Sequence, residues 1–147
     1  QVQKLTETLD REVKIDEIYQ CLLDTYVVDP EPYRLVDYDL LPGREQDQRC
    51  VARVAVSENV LTIDGEGSGP IEAFVTALGE TLNEPVTILS YQEVGIGTGS
   101  DAQAVCIVAI EDKEEGGRCY GLGLSRNTTT TALNAIISAM NRRWAAA

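Results

Sequence analysis

The sequence predicts an α+β fold made of two β-β-β-α units, one following the other. Short apolar segments come in threes, each trio is closed by one stretch with helical spacing, and that order occurs twice along the 147 residues. One such unit is too small to close a core by itself, so the two must pack together.

Ahead of the first unit, residues 14–27 carry Ile15, Ile18, Tyr19, Leu22, Leu23 and Tyr26 at helical spacing, with Asp16, Glu17, Gln20 and Asp24 on the other side. Asp29-Pro30-Glu31-Pro32 ends that helix, because proline disfavours helical geometry in the residue before it. Residues 33–41 read as the first strand, stopped by Pro42-Gly43 and the polar stretch 44–48. In 50–56 apolar Val and Ala alternate with polar Arg53, the period-2 signature of a second strand. Ser57-Glu58-Asn59 turns the chain into a third strand, 60–63. Gly65-Glu66-Gly67-Ser68-Gly69-Pro70 then reads as a glycine-rich loop into a helix ending near Leu82. Pro70 suits the first helical position, where its missing N–H has no partner to lose. Ala73, Phe74, Ala77 and Leu78 form its apolar stripe.

The second half repeats the order. Residues 86–91 are a strand, 95–100 a glycine-rich loop, 102–110 a strand, 111–117 an acidic turn and 119–124 a strand. Residues 127–131 open the last helix, whose apolar face is Leu133, Ile136, Ile137, Met140 and Trp144. Ala132, Ala135 and Ala139 allow a neighbour to approach closely.

Composition narrows the function classes. Asp and Glu number 24 against 12 Lys and Arg, for a net charge of −12, which argues against a nucleic-acid partner. The absence of histidine removes Ser-His and Cys-His catalysis within this chain, and with it the commonest zinc ligand. No apolar run reaches the roughly 18 residues of a membrane span, and no signal-peptide pattern is present. Cys21, Cys50, Cys106 and Cys119 form no C-x-x-C pair, and they read as reduced core residues. Gln1 in place of a starting Met points to a fragment or a processed chain.

The segment 65–70 is the most informative for chemistry. Alternate glycines permit positive φ and close approach of a ligand, and the helix behind them offers free N–H groups to a carboxylate or phosphate. The spacing G-x-G-x-G-P matches neither the dinucleotide fingerprint nor a P-loop. A tight strand-to-helix turn with no ligand is the competing reading. Residues 95–101 read as a flexible loop near Tyr91, with a β-bulge or hairpin as the alternative. There Asp101 suits a ligand ammonium or a simple turn cap. Asn127 and Thr128 are N-cap types, and capping alone accounts for them. The carboxylates lie mostly in polar turns, and no nucleophile stands beside an activating base.

Taken together, Thr62-Ile63-Asp64-Gly65-Glu66-Gly67-Ser68-Gly69-Pro70-Ile71-Glu72-Ala73, then Tyr91, then Gly99-Ser100-Asp101-Ala102-Gln103-Ala104 resemble the C-terminal regulatory domain of 2-isopropylmalate synthases. The ending, from Gly121-Leu122-Gly123 through Thr131-Ala132-Leu133 to Ala139-Met140-Asn141-Arg142, completes a resemblance over residues 33–144. It implies the same pair of β-β-β-α units in residues 33–147, a cytoplasmic homodimer, and L-leucine bound as feedback inhibitor. It also implies that 1–32 end a linker subdomain behind a catalytic (β/α)8 barrel. That barrel, outside this chain, would condense acetyl-CoA with 2-oxoisovalerate using a divalent metal, with no cofactor in the regulatory domain.

Carried over by position, the family's effector pocket falls on Gly67, Ser68, Gly69 and Ile71, then Ile88, Tyr91 and Gly95, then Asp101 and Ala102, and finally Ser125 and Asn127. Leucine's carboxylate would meet helix N–H groups, its ammonium Asp101 or carbonyls, and its isobutyl group Ile71, Ile88, Tyr91 and Ala102. Gln92-Glu93 stands where many relatives have Glu-His, and Ser125-Arg126 where Asp-Pro is frequent. The similar isoleucine-binding domain of citramalate synthases, and a dimerisation module without ligand, remain the alternatives.

Overall fold

In the computed structural model, which describes residues 32–96, 99, 102–112 and 117–146, the side chains of 96 and 144–146 excepted, the two units are plainly visible. The first is β1 (Tyr33–Pro42), β2 (Gln48–Val56), β3 (Asn59–Gly67) and α1 (Pro70–Thr81). The second is β4 (Ile88–Ile96), β5 (Gln103–Glu111), β6 (Arg118–Ser125) and α2 (Thr128–Ala146). Each trio is an antiparallel meander in chain order, so the structure holds two three-stranded sheets. The amphipathic helix expected over 14–27, and Cys21 within it, lie outside the described residues.

The largest departures from the sequence reading are the ends of β3 and β4, and both extensions take in glycine. β3 continues four residues past Ile63 and takes in Gly65 and Gly67, and β4 runs from Ile88 rather than 86 through Gly95 to Ile96. Gly65 and Gly67 are therefore strand residues and not part of a loop. Neither has positive φ, and among the described glycines Gly99 alone does. Their value is the missing Cβ. A Cβ on Gly65 would sit 2.4 Å from Ala77 N, and one on Gly67 2.6 Å from Ala73 N. In the second unit, a Cβ on Gly123 would sit 1.9 Å from Thr131 O, and one on Gly121 2.1 Å from Ala135 O. The strand backbone and the helix backbone thus meet with no side chain between them, with alanine on the helix side.

The register places Cys50, Ala52, Val54 and Ile63 on the face of the first sheet that meets α1, where Ala73, Phe74, Ala77 and Leu78 are fully buried. α2 packs on β5 and β6 through Leu133, Ile136 and Met140, and it also reaches β1 of the first sheet. One continuous core results. Two buried links join the halves at the far end of α2. The Asn141 side chain accepts from Tyr33 N–H and donates to Tyr33 O, each at 2.9 Å. Arg143, 6% exposed, donates to Glu111 O at 3.2 Å and to Glu84 at 3.3 Å, while the Tyr33 hydroxyl donates to the other oxygen of Glu84.

The opposite face of the first sheet is mixed, with Leu41 and Val60 exposed among the charges, and there Arg53 grips Asp37 and Arg49 grips Asp64 through paired contacts across strands. These exposed pairs hold both carboxyls below their ordinary range and contribute little to stability. The turns use few special conformations: Ser57 takes φ 55 between β2 and β3, and Asn83 takes φ 61 beyond α1 while Glu84 N–H closes back on Leu78 O. Among the described residues, no helix is long and apolar enough to cross a membrane.

Cys50, Cys106 and Cys119 are free and buried, as expected. Burial pushes the Cys50 thiol up to about 11 and the Cys106 thiol up to about 12 from an ordinary 9.0. Both folded values lie above the unfolded one, so the contribution is intact below about pH 9 and is lost as pH climbs towards 11–12. Urea titrations at stepped pH are expected to show stability falling over that window by on the order of 3 kcal/mol per thiol. In the same assay Gly123→Ala costs at least about 3 kcal/mol, because backbone must move, whereas Gly95→Ala, with open space around its Cβ, stays within about 0.5 kcal/mol.

Candidate functional site

Each helix follows the third strand of its unit, yet the two helix starts are finished differently. α2 is capped by its own chain. Asn127 Oδ1 accepts from Thr130 N–H at 3.0 Å, Ser125 Oγ accepts from Asn127 N–H at 3.1 Å, and the Thr131 hydroxyl donates to Asn127 O at 2.8 Å. From the neighbouring sheet, Tyr38 closes over this end with its hydroxyl 2.6 Å from Thr130 Oγ1. Ser125, Asn127, Thr130 and Thr131 are thus already engaged at this end.

α1 has no such closure. Its N-cap is Gly69, in extended geometry (φ −156, ψ 179), with no side-chain cap, and Pro70 is its first helical residue. Ala73 N–H makes the first helical bond, to Gly69 O at 2.9 Å, so the N–H groups of Ile71 and Glu72 have no acceptor within the helix. The partial positive charge of the helix end lies open beside them. Ser68 Oγ donates to the Glu72 carboxylate, one turn away.

This end opens onto a cleft of about 440 Å³ lined by Ser68, Gly69, Pro70, Ile71, Glu72, Val75 and Ile88. The volume is within the range of small-ligand sites. Its wall is chiefly apolar, from Ile71, Val75 and Ile88, and its polar groups gather at the helix start. The cleft exists because the units are not equivalent in packing: α2 reaches across to β1, while α1 has no comparable packing on β4.

Tyr91 lies on β4, in the second sheet. It pairs with Val108, which pairs with Gly121, whereas Tyr38 pairs with Ala52 and then Ile63, so the two tyrosines stand at different places in their sheets. Where Tyr38 bonds a helix, Tyr91 is 42% exposed and donates to Glu93 of its own strand at 2.7 Å. Partial burial and then the Glu93 bond raise its phenol above the ordinary value. Glu93 also faces Cys106, whose thiol burial has already raised.

Of the residues expected in an effector pocket, the structure brings Ser68, Gly69, Ile71 and Ile88 into one cleft. Gly67 lies behind them, pressed under α1. Tyr91 is three residues along β4, about 10 Å from Ile88. Gly95 is paired with Ala104, and Ala104 with Ser125, so that Gly95, Ser125 and Asn127 gather at the other end of the second sheet. That end is about 20 Å away along the strand. Ala102 is exposed and donates its N–H to Gly99 O at 3.3 Å. Asp101 lies outside the described residues. The sequence reading missed Pro70, Glu72 and Val75 as lining residues. Val75 had a usable signal, since it stands one turn after Ile71 on the same helix face.

A second hollow, of about 500 Å³, lies over the edge of β3 among Arg44, Arg49, Asp64, Gly65, Glu66, Thr76 and Glu80. Its charges are mixed, and Arg49 is already bound to Asp64. Among the described residues, no cluster of three or more His, Cys, Asp or Glu side chains could hold a metal ion.

With this geometry in view, the comparison with known proteins is direct. Residues 12–144 match the family model described as the LeuA allosteric (dimerisation) domain. The chain belongs to the LeuA allosteric domain family. It is 33% identical over 144 residues to 2-isopropylmalate synthase of Brucella suis biovar 1 (strain 1330), covering 96% of this chain and 26% of that protein. To the 2-isopropylmalate synthase of Clostridium acetobutylicum it is 30% identical over 146 residues, with 96% and 26% covered. To that of Ralstonia nicotianae it is 32% identical over 143 residues, with 96% and 24% covered. The chain therefore spans about a quarter of the length of these relatives.

The unequal caps give this LeuA-family domain a stability signature. Asn127→Ala should lower the unfolding free energy by about 1 kcal/mol, read from the urea midpoint at unchanged slope. Gly69→Asn should leave it unchanged or slightly raised, since a cap is added where none exists.

Proposed function

We propose that this chain is the feedback-sensing domain of a 2-isopropylmalate synthase, binding L-leucine and pairing as a homodimer. The observation that carries this reading is the uncapped start of α1 opening onto an apolar cleft. A branched-chain amino acid has the complementary parts. Its carboxylate accepts from the free N–H groups of Ile71 and Glu72 and is favoured by the helix dipole. Its aliphatic side chain fills the space among Ile71, Val75 and Ile88. Its ammonium is placed to meet the Glu72 carboxylate, a role assigned to Asp101 from sequence. Gly95, Ala102, Ser125 and Asn127 contribute in this reading across a dimer contact, which supplies the wall the open cleft lacks, and Tyr91 sits between the two groups.

The catalytic step, condensation of acetyl-CoA with 2-oxoisovalerate in the cytoplasm, and its divalent metal belong in this reading to the part of the parent enzyme outside this chain. Leucine then inhibits because it binds active and inactive arrangements of that enzyme with different affinity.

Calorimetric titration with L-leucine and then L-isoleucine is expected to give saturable heat with leucine preferred. A preference for isoleucine would transfer the domain to a citramalate synthase, and no heat with either would sink the effector assignment. Gly69→Asp should abolish binding while the protein stays folded, since the new carboxylate caps the N–H groups the ligand needs and repels its charge. Full leucine affinity in this variant would move the site away from α1.

A further inference from the structure

The second sheet has two buried faces, and only one is accounted for by the helices. Cys106, Val108 and Ile110 point to the side where α2 packs. Val105, Ile107 and Ala109 alternate to the opposite side, with Leu124, Leu122 and Tyr120 of β6 as their register partners. This outer face is closed to solvent: Leu122 and Ala109 are 0% exposed, Val105 2% and Ile107 8%. Yet among the described residues Val105, Ile107 and Leu122 form a cluster of their own, packed only with Tyr120 and Leu124. A sheet face covered by nothing cannot reach those values.

We propose that the amphipathic segment 14–27 docks as a helix on the outer face of β5 and β6, laying Ile15, Ile18, Tyr19, Leu22, Leu23 and Tyr26 against it. The chemistry is complementary, an apolar stripe against an apolar face, with Asp16, Glu17 and Asp24 left to water. The path is short. The chain enters the fold at Pro32, whose carbonyl accepts from Ser57 N–H at 2.7 Å, and Tyr33 is tied through Glu84 and Arg143 to Glu111, the last residue of β5. Entry is thus beside one end of the outer face. Residues 28–32 span up to about 17 Å, enough to turn onto it. A helix over 14–27 is about 21 Å long, against about 30 Å for the nine residues of β5. The cover centres on β5 and β6, since Val94, on the same face of β4, is still 44% exposed. The sheet then has the helical core and the residues proposed for the effector on one face and the N-terminal segment on the other.

The test uses the 147-residue chain with benzoylphenylalanine in place of Tyr120, irradiated and digested for mass spectrometry. The expected product is an intrachain crosslink to a peptide within 14–27, at monomer mobility on a denaturing gel. A crosslink to a second copy, attachment outside 14–27, or no crosslink would overturn the proposal. As an independent reading, Leu22→Asp should raise anilinonaphthalene sulfonate fluorescence several-fold with far-UV circular dichroism retained, while Gln20→Asp leaves it unchanged. Equal fluorescence in the two variants would also overturn the proposal. Neither measurement involves an effector, so its outcome is separate from that of the leucine titration.

Discussion

The structure depends on bringing a helix backbone into contact with a strand backbone, twice. Gly65 and Gly67 in β3, and Gly121 and Gly123 in β6, leave room that Ala73, Ala77, Ala135 and Ala139 fill from the helix side. The close approach lets each helix rest on its own sheet, and it puts the start of α1 where the chain leaves β3. A single methyl at Gly123 would meet Thr131 O at 1.9 Å, which no rotamer can relieve because both partners are backbone. The helix position, the shared core and the cleft all follow from that contact.

Around this frame the two units diverge in what occupies their helix starts. In the second unit, Asn127, Ser125, Thr130 and Tyr38 satisfy one another. In the first, a glycine and a proline leave the helix end without a side-chain cap. A duplicated architecture has thus capped one helix end with side chains and left the other without a side-chain cap. The difference lies in hydrogen-bond partners, since Tyr38 reaches Thr130 of α2 while Tyr91 bonds Glu93 of its own strand.

The halves are held together at the opposite end of α2. Asn141 makes two hydrogen bonds to the backbone of Tyr33, and Arg143, nearly buried, bridges Glu84 and the end of β5. Leaving such a cation without its partner is costly, which makes this group a fixed joint. It also fixes where the chain enters the domain, because Tyr33 is the first residue of β1.

Much of this was legible from the chain alone. The six strands, both described helices, the buried stripe of α1 and the capping role of Asn127 follow from periodicity and cap chemistry, which act within a few residues. The alternate glycines were visible too, but their meaning was not. In sequence, G-x-G-x-G offers backbone freedom, and only the packed helix shows that the missing Cβ matters instead. Of the candidate pocket, Ser68, Gly69, Ile71 and Ile88 come together in one cleft, while Gly95, Ser125 and Asn127 lie at the far end of the second sheet, a separation set by strand pairing that no local pattern encodes. The sequence by itself determined the elements and their order, because hydrophobic period and capping are local. Tertiary structure alone decided which face of each strand is buried, which helix end stays free and where a small molecule has room, because those depend on contacts between residues far apart in the chain.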